Sequence, residues 1–357
     1  MRINAISRLV VSTLFLGVAP CAVWTARAMD VYGAWHCGND YCTWSTVRTS
    51  ADFDQKNRWL VDRGDGKPSV NLVVLSFVQP LKLLDRTTDA STLEGVPRGM
   101  TADVANYFKA HGVRVMLSIG GITYVKPWND ALAKNAWQLG LNAAEVAQRL
   151  GVGIEIDYEE NRSPNLEGLA QFIAAYRSVL PYDASGENHA ARLTIDLAAG
   201  DRWLIALTRK ATAEWLTGAE PVLDYANAMV PARQPRAADA IANWQEHVDG
   251  KPQYAPPIPP LAPARFTGSL WLVGSKPIAE CTTFAKSLQS YTGSFVTTVA
   301  PNGEGSSPGM LGYMFWAAEC SGTRSVCTTP PNTCQGGLGA GAAFYDVPVP
   351  MLPLQRY

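Results

Sequence analysis

The sequence lacks any excess of positive charge. Its 357 residues carry 30 lysines and arginines against 31 aspartates and glutamates, which excludes the basic footprint that nucleic acid or an anionic membrane surface requires. It also lacks a membrane-spanning run near its start: the apolar stretch from Leu9 to Val18 is far short of the roughly 20 residues needed to cross a bilayer. Paired C-x2-C knuckles and a histidine cluster are both missing, so the cysteines do not read as a zinc site. No segment repeats, and no detached module is visible. Charged residues make up only 17% of the chain and hydrophobic ones 47%, a balance that supplies a large core and excludes wholesale disorder.

What is present begins with an export signal. Arg2 and Arg8 flank the start of the apolar stretch, and Ala26 and Ala28 follow it in an A-x-A arrangement, the pattern of a cleavable secretory signal over residues 1–28. The expected mature chain, 29–357, is then secreted to the extracellular space or periplasm, with no membrane partner. Its cysteines are Cys37, Cys42, Cys281, Cys320, Cys327 and Cys334, an even set that in an exported protein implies disulfides. Cys37 with Cys42 is the local pair we choose, and the pairing of the other four stays open.

Apolar, β-branched runs at 30–36, 71–80, 113–121, 151–160, 192–200, 222–231, 269–277 and 309–319 read as eight strands. Helical spacing at 53–63, 101–111, 135–149, 165–179, 202–217, 237–248 and 278–290 fills most of the gaps. Strands alternating with helices pair in parallel through crossovers, and eight of them predict an α/β fold, a single (β/α)8 TIM barrel over 29–357. Pro256, Pro257, Pro259, Pro260 and Pro263 mark a stiff connection ahead of the seventh strand.

The fourth strand carries the chemistry. In "GVGIEIDYEENRS" (151–163), Glu155, Asp157 and Glu159 alternate with Ile154, Ile156 and Tyr158, so three carboxylates share one face. In a closed barrel that face looks into the lumen. Like charges crowded there raise one another's pKa. Glu159 is nearest the C-terminal mouth, where barrel enzymes keep their sites, and reads as a general acid with Asp157 and Glu155 deeper. The same cluster also fits a structural ion network or a divalent-metal site. Arg114 and Arg192 lie at strand starts, toward the opposite end.

Two motifs then give the chain a family resemblance. "SIGG" (Ser118, Ile119, Gly120, Gly121) on the third strand and "VGIEIDYE" (152–159) on the fourth resemble the S-x-G-G and D-x-x-D-x-D-x-E patterns of the family 18 glycoside hydrolases, which include chitinases and endo-β-N-acetylglucosaminidases. The resemblance implies substrate-assisted catalysis with retention. Glu159 would protonate the glycosidic oxygen while the sugar's own 2-acetamido carbonyl attacks the anomeric carbon. Asp157 would hold the acetamido N–H, and Glu155 would share a proton or hydrogen bond with Asp157. Trp316, in "GYMFWAAE", would form the floor under the cleaved sugar, with Phe77, Tyr32, Asn227 and Met229 as further substrate-binding residues. No cofactor and no metal is implied. The expected partner is an N-acetylglucosamine polysaccharide or glycan, bound by a monomer.

Three departures from the family pattern stand out. Val152 replaces the first Asp of the fourth-strand motif, and Glu155 replaces the second, adding a methylene to a packed lumen. On the sixth strand, Asp224, Asn227 and Met229 match D-x-x-N-x-M-x-Y-D, but Pro231 stands where the family has the Tyr that orients the acetamido carbonyl. Tyr225 cannot replace it, since six residues along a strand is roughly 20 Å at ~3.3 Å per residue. The expected activity is a chitinase-type hydrolase of β-1,4 linkages. The alternatives are an endo-β-N-acetylglucosaminidase on N-glycans and a chitin-binding lectin on the same barrel, and the presence of Glu159 weighs against the lectin.

Overall fold

The computed structural model describes residues 31–37, 49–62, 67–198, 203–218, 222–229, 237–271, 290–299 and 309–316. The signal segment, Pro231, every mature cysteine except Cys37, and the helix predicted over 278–290 up to its last residue lie outside the described residues.

Eight strands close into a barrel: β1 (Val31–Cys37), β2 (Leu72–Val78), β3 (Arg114–Gly120), β4 (Gly153–Asp157), β5 (Leu193–Leu197), β6 (Ala226–Ala228), β7 (Phe266–Trp271) and β8 (Gly312–Trp316). Each pairs in parallel with the next, and β8 returns to β1 with Val31 opposite Gly312. The fold is the expected (β/α)8 barrel, and each predicted run overlaps one barrel strand. β7 starts three residues ahead of its prediction. The proline-rich connection ends in a turn at Pro263–Arg265, and Phe266 pairs at once with Ala226.

The helices are α1 (Ser50–Asn57), α2 (Pro80–Leu84), α3 (Ala102–Ala110), α4 (Val125–Leu150), α5 (Leu166–Val179), α6 (Ile205–Lys210), α7 (Ala237–Asp249) and α8 (Ser290–Thr298). Side-chain caps start several of them: Thr49 and Asp52 form a reciprocal capping box on α1, and Thr101 and Asn165 accept from Val104 N and Gly168 N. α4 begins well before the predicted residue 135 because two helices join across Asn135 (φ −168, ψ 82). The Asn135 side chain accepts from Gln138 N and caps the second of the two, the one whose apolar spacing the prediction covers. α2 and the small hairpin of Thr92–Leu93 with Val96–Pro97 escaped prediction, being too short to show a period. None of the helices among the described residues is long and apolar enough to cross a membrane.

Alternation divides the core in two. Tyr32, Ala34, Ile154, Ile156 and Phe315 pack into the layer between strands and helices, while Val31, Trp35, Leu72, Val74, Met116, Tyr225 and Met314 fill the lumen. At the N-terminal end of the barrel, Asp224 is clamped by Arg192 Nη1 at 2.5 Å and Arg177 Nη2 at 3.0 Å, and accepts from Leu193 N at 2.7 Å. The Asp of the sixth-strand motif thus ties β6 to β5 and α5, far from the mouth.

Candidate active site

β4 aims its carboxylates by alternation. With Ile154, Ile156 and Tyr158 in the outer core, Glu155 and Asp157 are buried on the lumen side, and Glu159 follows, half-buried, at the mouth. Glu155 Oε1 accepts from Trp35 Nε1 at 2.8 Å and its Oε2 from Asn227 Nδ2 at 2.7 Å. The same Asn227 nitrogen reaches Asp196 Oδ1 at 3.2 Å, and Asn227 Oδ1 accepts from Thr267 Oγ1 at 2.7 Å. Asp157 Oδ1 is buried with no hydrogen-bond partner. The Glu155 oxygens accept from Trp35 and Asn227 rather than meeting Asp157, which feels Glu155 as a neighbouring charge.

The "SIGG" turn holds this arrangement in place. Gly120 has φ +125, and a Cβ there would lie 1.9 Å from the Asp157 carbonyl oxygen and 2.3 Å from Trp128 Nε1. Only glycine admits that approach. It lets Gly121 N and Trp128 Nε1 both donate to Asp157 O, at 3.0 and 3.1 Å. One residue on, the Ile122 N–H faces the Glu159 carboxylate and opposes the rise of its pKa. Ser118 sits opposite Glu155 in the ladder, its hydroxyl close by but short of hydrogen-bond geometry.

Burial sets the electrostatics. It pushes Glu159 up to about 7 against the opposing Ile122 N–H. It raises Glu155 to about 7 as well, against the opposing Trp35, Ser118, Asp196 and Asn227 contacts. Asp157 rises well above the carboxylate range through burial and then the charges of Glu159 and Glu155, and Asp196 rises likewise through burial and then Glu155 and Asp157. A general acid must hold its proton, so kcat/KM should fall as pH rises through about 7. Folded Glu159, Asp157 and Asp196 keep protons that unfolded carboxyls, with pKa about 4, have lost. Their contribution to stability is complete below about pH 4 and is lost as pH climbs through 7, because the folded state binds more protons. Melting temperatures that decline from about pH 5 to 8 would bear this out, and a rise over that window would contradict it.

Aromatic rings frame the mouth. Trp316 stacks on Phe77 with ring centroids 5.6 Å apart and planes at 29°, and leans on Trp35 at 6.3 Å. Asn227 is at the centre of the carboxylate network. Met229 is partly buried against the outer cluster. Tyr32 is corrected outright: it lies near the N-terminal start of β1, fully buried in the outer layer with its ring 4.9 Å from Phe315. The residue of β1 that reaches the site is Trp35. Sequence reasoning missed Trp35, Asp196, Thr267 and Trp128. Only Asp196 left a signal, as a lone carboxylate inside the apolar run "LTIDLAA".

No protein-family model matches the sequence, and no curated protein does. Among solved structures, the chain is similar to a GH18 chitinase from Pseudoalteromonas aurantia at 14% identity and TM-score 0.53, covering 80% of this chain and 93% of that one. It shares that chitinase's barrel fold. The chitinase RmChi1 from Rhizomucor miehei gives TM-score 0.47 at 14% identity, with 80% of this chain and 93% of that one covered.

Proposed function

We propose that this protein is a glycosidase that cleaves β-1,4 linkages of N-acetylglucosamine polymers by substrate-assisted, retaining catalysis. The observation that carries the reading is Asp157 Oδ1, a buried acceptor with no partner, on the strand whose next lumen-facing residue is a half-buried acid. A sugar seated on Trp316 would satisfy that oxygen with its acetamido N–H, turning the acetamido carbonyl toward the anomeric carbon. Glu159, neutral through burial, would protonate the departing oxygen and later, as its conjugate base, activate the water that opens the oxazolinium. The fold shared with a chitinase supports the reading, as do the two motifs, although a barrel alone assigns no chemistry. We place the working enzyme outside the cell, with residues 1–28 as its signal and 29–357 as one catalytic domain. The reaction needs no cofactor.

The test is to incubate the purified protein with chitin oligosaccharides and, separately, with a high-mannose glycopeptide, and to analyse products by mass spectrometry. Shortened N-acetylglucosamine oligomers and an intact glycopeptide are expected. Cleavage of the glycopeptide alone would move the assignment to N-glycans, and binding without any product would make the protein a lectin.

A further inference from the structure

The carboxylate of β5 has no part in the scheme above, yet it is built into the same network. Asp196 is 2% exposed and Glu155 fully buried. The Asn227 amide nitrogen donates to Glu155 Oε2 at 2.7 Å and to Asp196 Oδ1 at 3.2 Å, so the two carboxyl groups are no farther apart than two hydrogen bonds end to end. The amide cannot be turned round, because that would set its oxygen against two carboxyl oxygens that accept from its NH2. The Glu155 and Asp196 carboxyl groups are themselves in side-chain hydrogen-bond contact, and two carboxyl groups so placed in a dry lumen do not both ionise: one proton between them makes the hydrogen bond.

The donors decide which group keeps that proton. Glu155 has a donor on each oxygen, Trp35 on Oε1 and Asn227 on Oε2, the surroundings of an anion. Among the described residues, the one donor to Asp196 is the Asn227 amide, through the longer of its two bonds. We infer that Asp196 is a positioning residue: it holds the proton, donates it to Glu155, and so fixes the negative charge at Glu155. Asp157, left without a bond to Glu155, keeps its Oδ1 open for the substrate's acetamido group. The titratable groups facing Asp196 are Glu155 and Asp157 from β4. Among the described residues β6 presents only the Asn227 amide there, and Arg192, just ahead of Asp196's own strand, is paired with Asp224 at the far end.

Asn can donate as protonated Asp does, whereas Leu cannot. The catalytic readout rests on the glycosidase reading; the stability readout does not. In Asp196→Asn, kcat should fall by about threefold with the alkaline midpoint of kcat/KM in place. In Asp196→Leu, Glu155 takes up a proton and the charge moves up the strand to Asp157, beside Glu159. The alkaline midpoint should then move to higher pH by about half a unit or more, with kcat about tenfold lower and KM little changed. Asp196→Ala serves the same arm if the Leu variant does not fold. A midpoint moved to lower pH in Asp196→Asn would show that an anion had been removed, and an unmoved midpoint in the apolar variants would show no coupling; either overturns the assignment. If the parent chain cleaves no glycan, the stability arm decides alone. The decline in melting temperature from about pH 5 to 8 should be shallower in Asp196→Asn than in the parent, because the Asn variant has lost a proton bound only in the folded state. An equal decline would contradict the inference.

Discussion

Glu159→Gln lowers kcat on chitin oligosaccharides by at least about a hundredfold while leaving oligosaccharide binding in place. The amide keeps the shape of the side chain and its approach to the Ile122 N–H, but has no proton to give. Glu159 is half-buried at the mouth, after Asp157 on the lumen side, and burial holds its carboxyl near neutrality. Loss of the acid removes an interaction made in the transition state, so KM should barely move. Steady-state kinetics with binding measured by calorimetry separate the two effects. Near-normal turnover would exclude Glu159 as the acid, and lost binding would make its role structural.

Asp224→Ala has the largest expected effect on stability, about 3–5 kcal/mol, with a melting temperature lower by about 5–10 °C. The carboxylate is 2% exposed and faces guanidinium groups that are 6% and 9% exposed. Removing it leaves two buried cations side by side and takes the acceptor from Leu193 N. Arg177 would still donate to the Val222 and Ala191 carbonyls, at 2.6 and 2.5 Å, which limits the loss without cancelling it. Since the clamp lies at the end of the barrel away from the mouth, molecules that do fold should keep the parent KM. Thermal unfolding of the purified variant checks the first claim, and an unchanged melting temperature would show that the clamp contributes nothing net.

Legibility in the sequence followed periodicity. Glu155, Asp157 and Glu159 were placed correctly because a period of two, with apolar residues between, states which face they share. Their neighbours on other strands were not legible, because strand register is a property of the closed barrel. Asp196 meets Glu155 only once β5 pairs with β4 and β6 with β5. "VYGAWHC" has no polar alternation, since a barrel strand is buried on both faces. Nothing local distinguished Tyr32 from Trp35, and the choice by likeness fell on the outward, N-terminal residue. "SIGG" announced its glycines, but that Gly120 makes room for the Asp157 carbonyl and Trp128 is a fact of two strands touching.

The most direct test of the central claim, that the substrate supplies its own nucleophile against Asp157, is to compare the affinity of a thiazoline analogue of the cyclised intermediate with that of the parent N-acetylglucosamine oligomers. The unpartnered Asp157 Oδ1 and the Trp316 ring should favour the cyclised form, and a mimic of the intermediate should bind at least about a hundredfold more tightly. The residue at the family's Tyr position, Pro231, has no hydroxyl to offer. One missing donor at a developing charge costs about 10²–10³ in rate, so slow turnover is compatible with the account. Titration of both ligands into the purified protein by calorimetry gives the ratio. Equal affinities would contradict substrate assistance and leave a sugar-binding barrel without the chemistry.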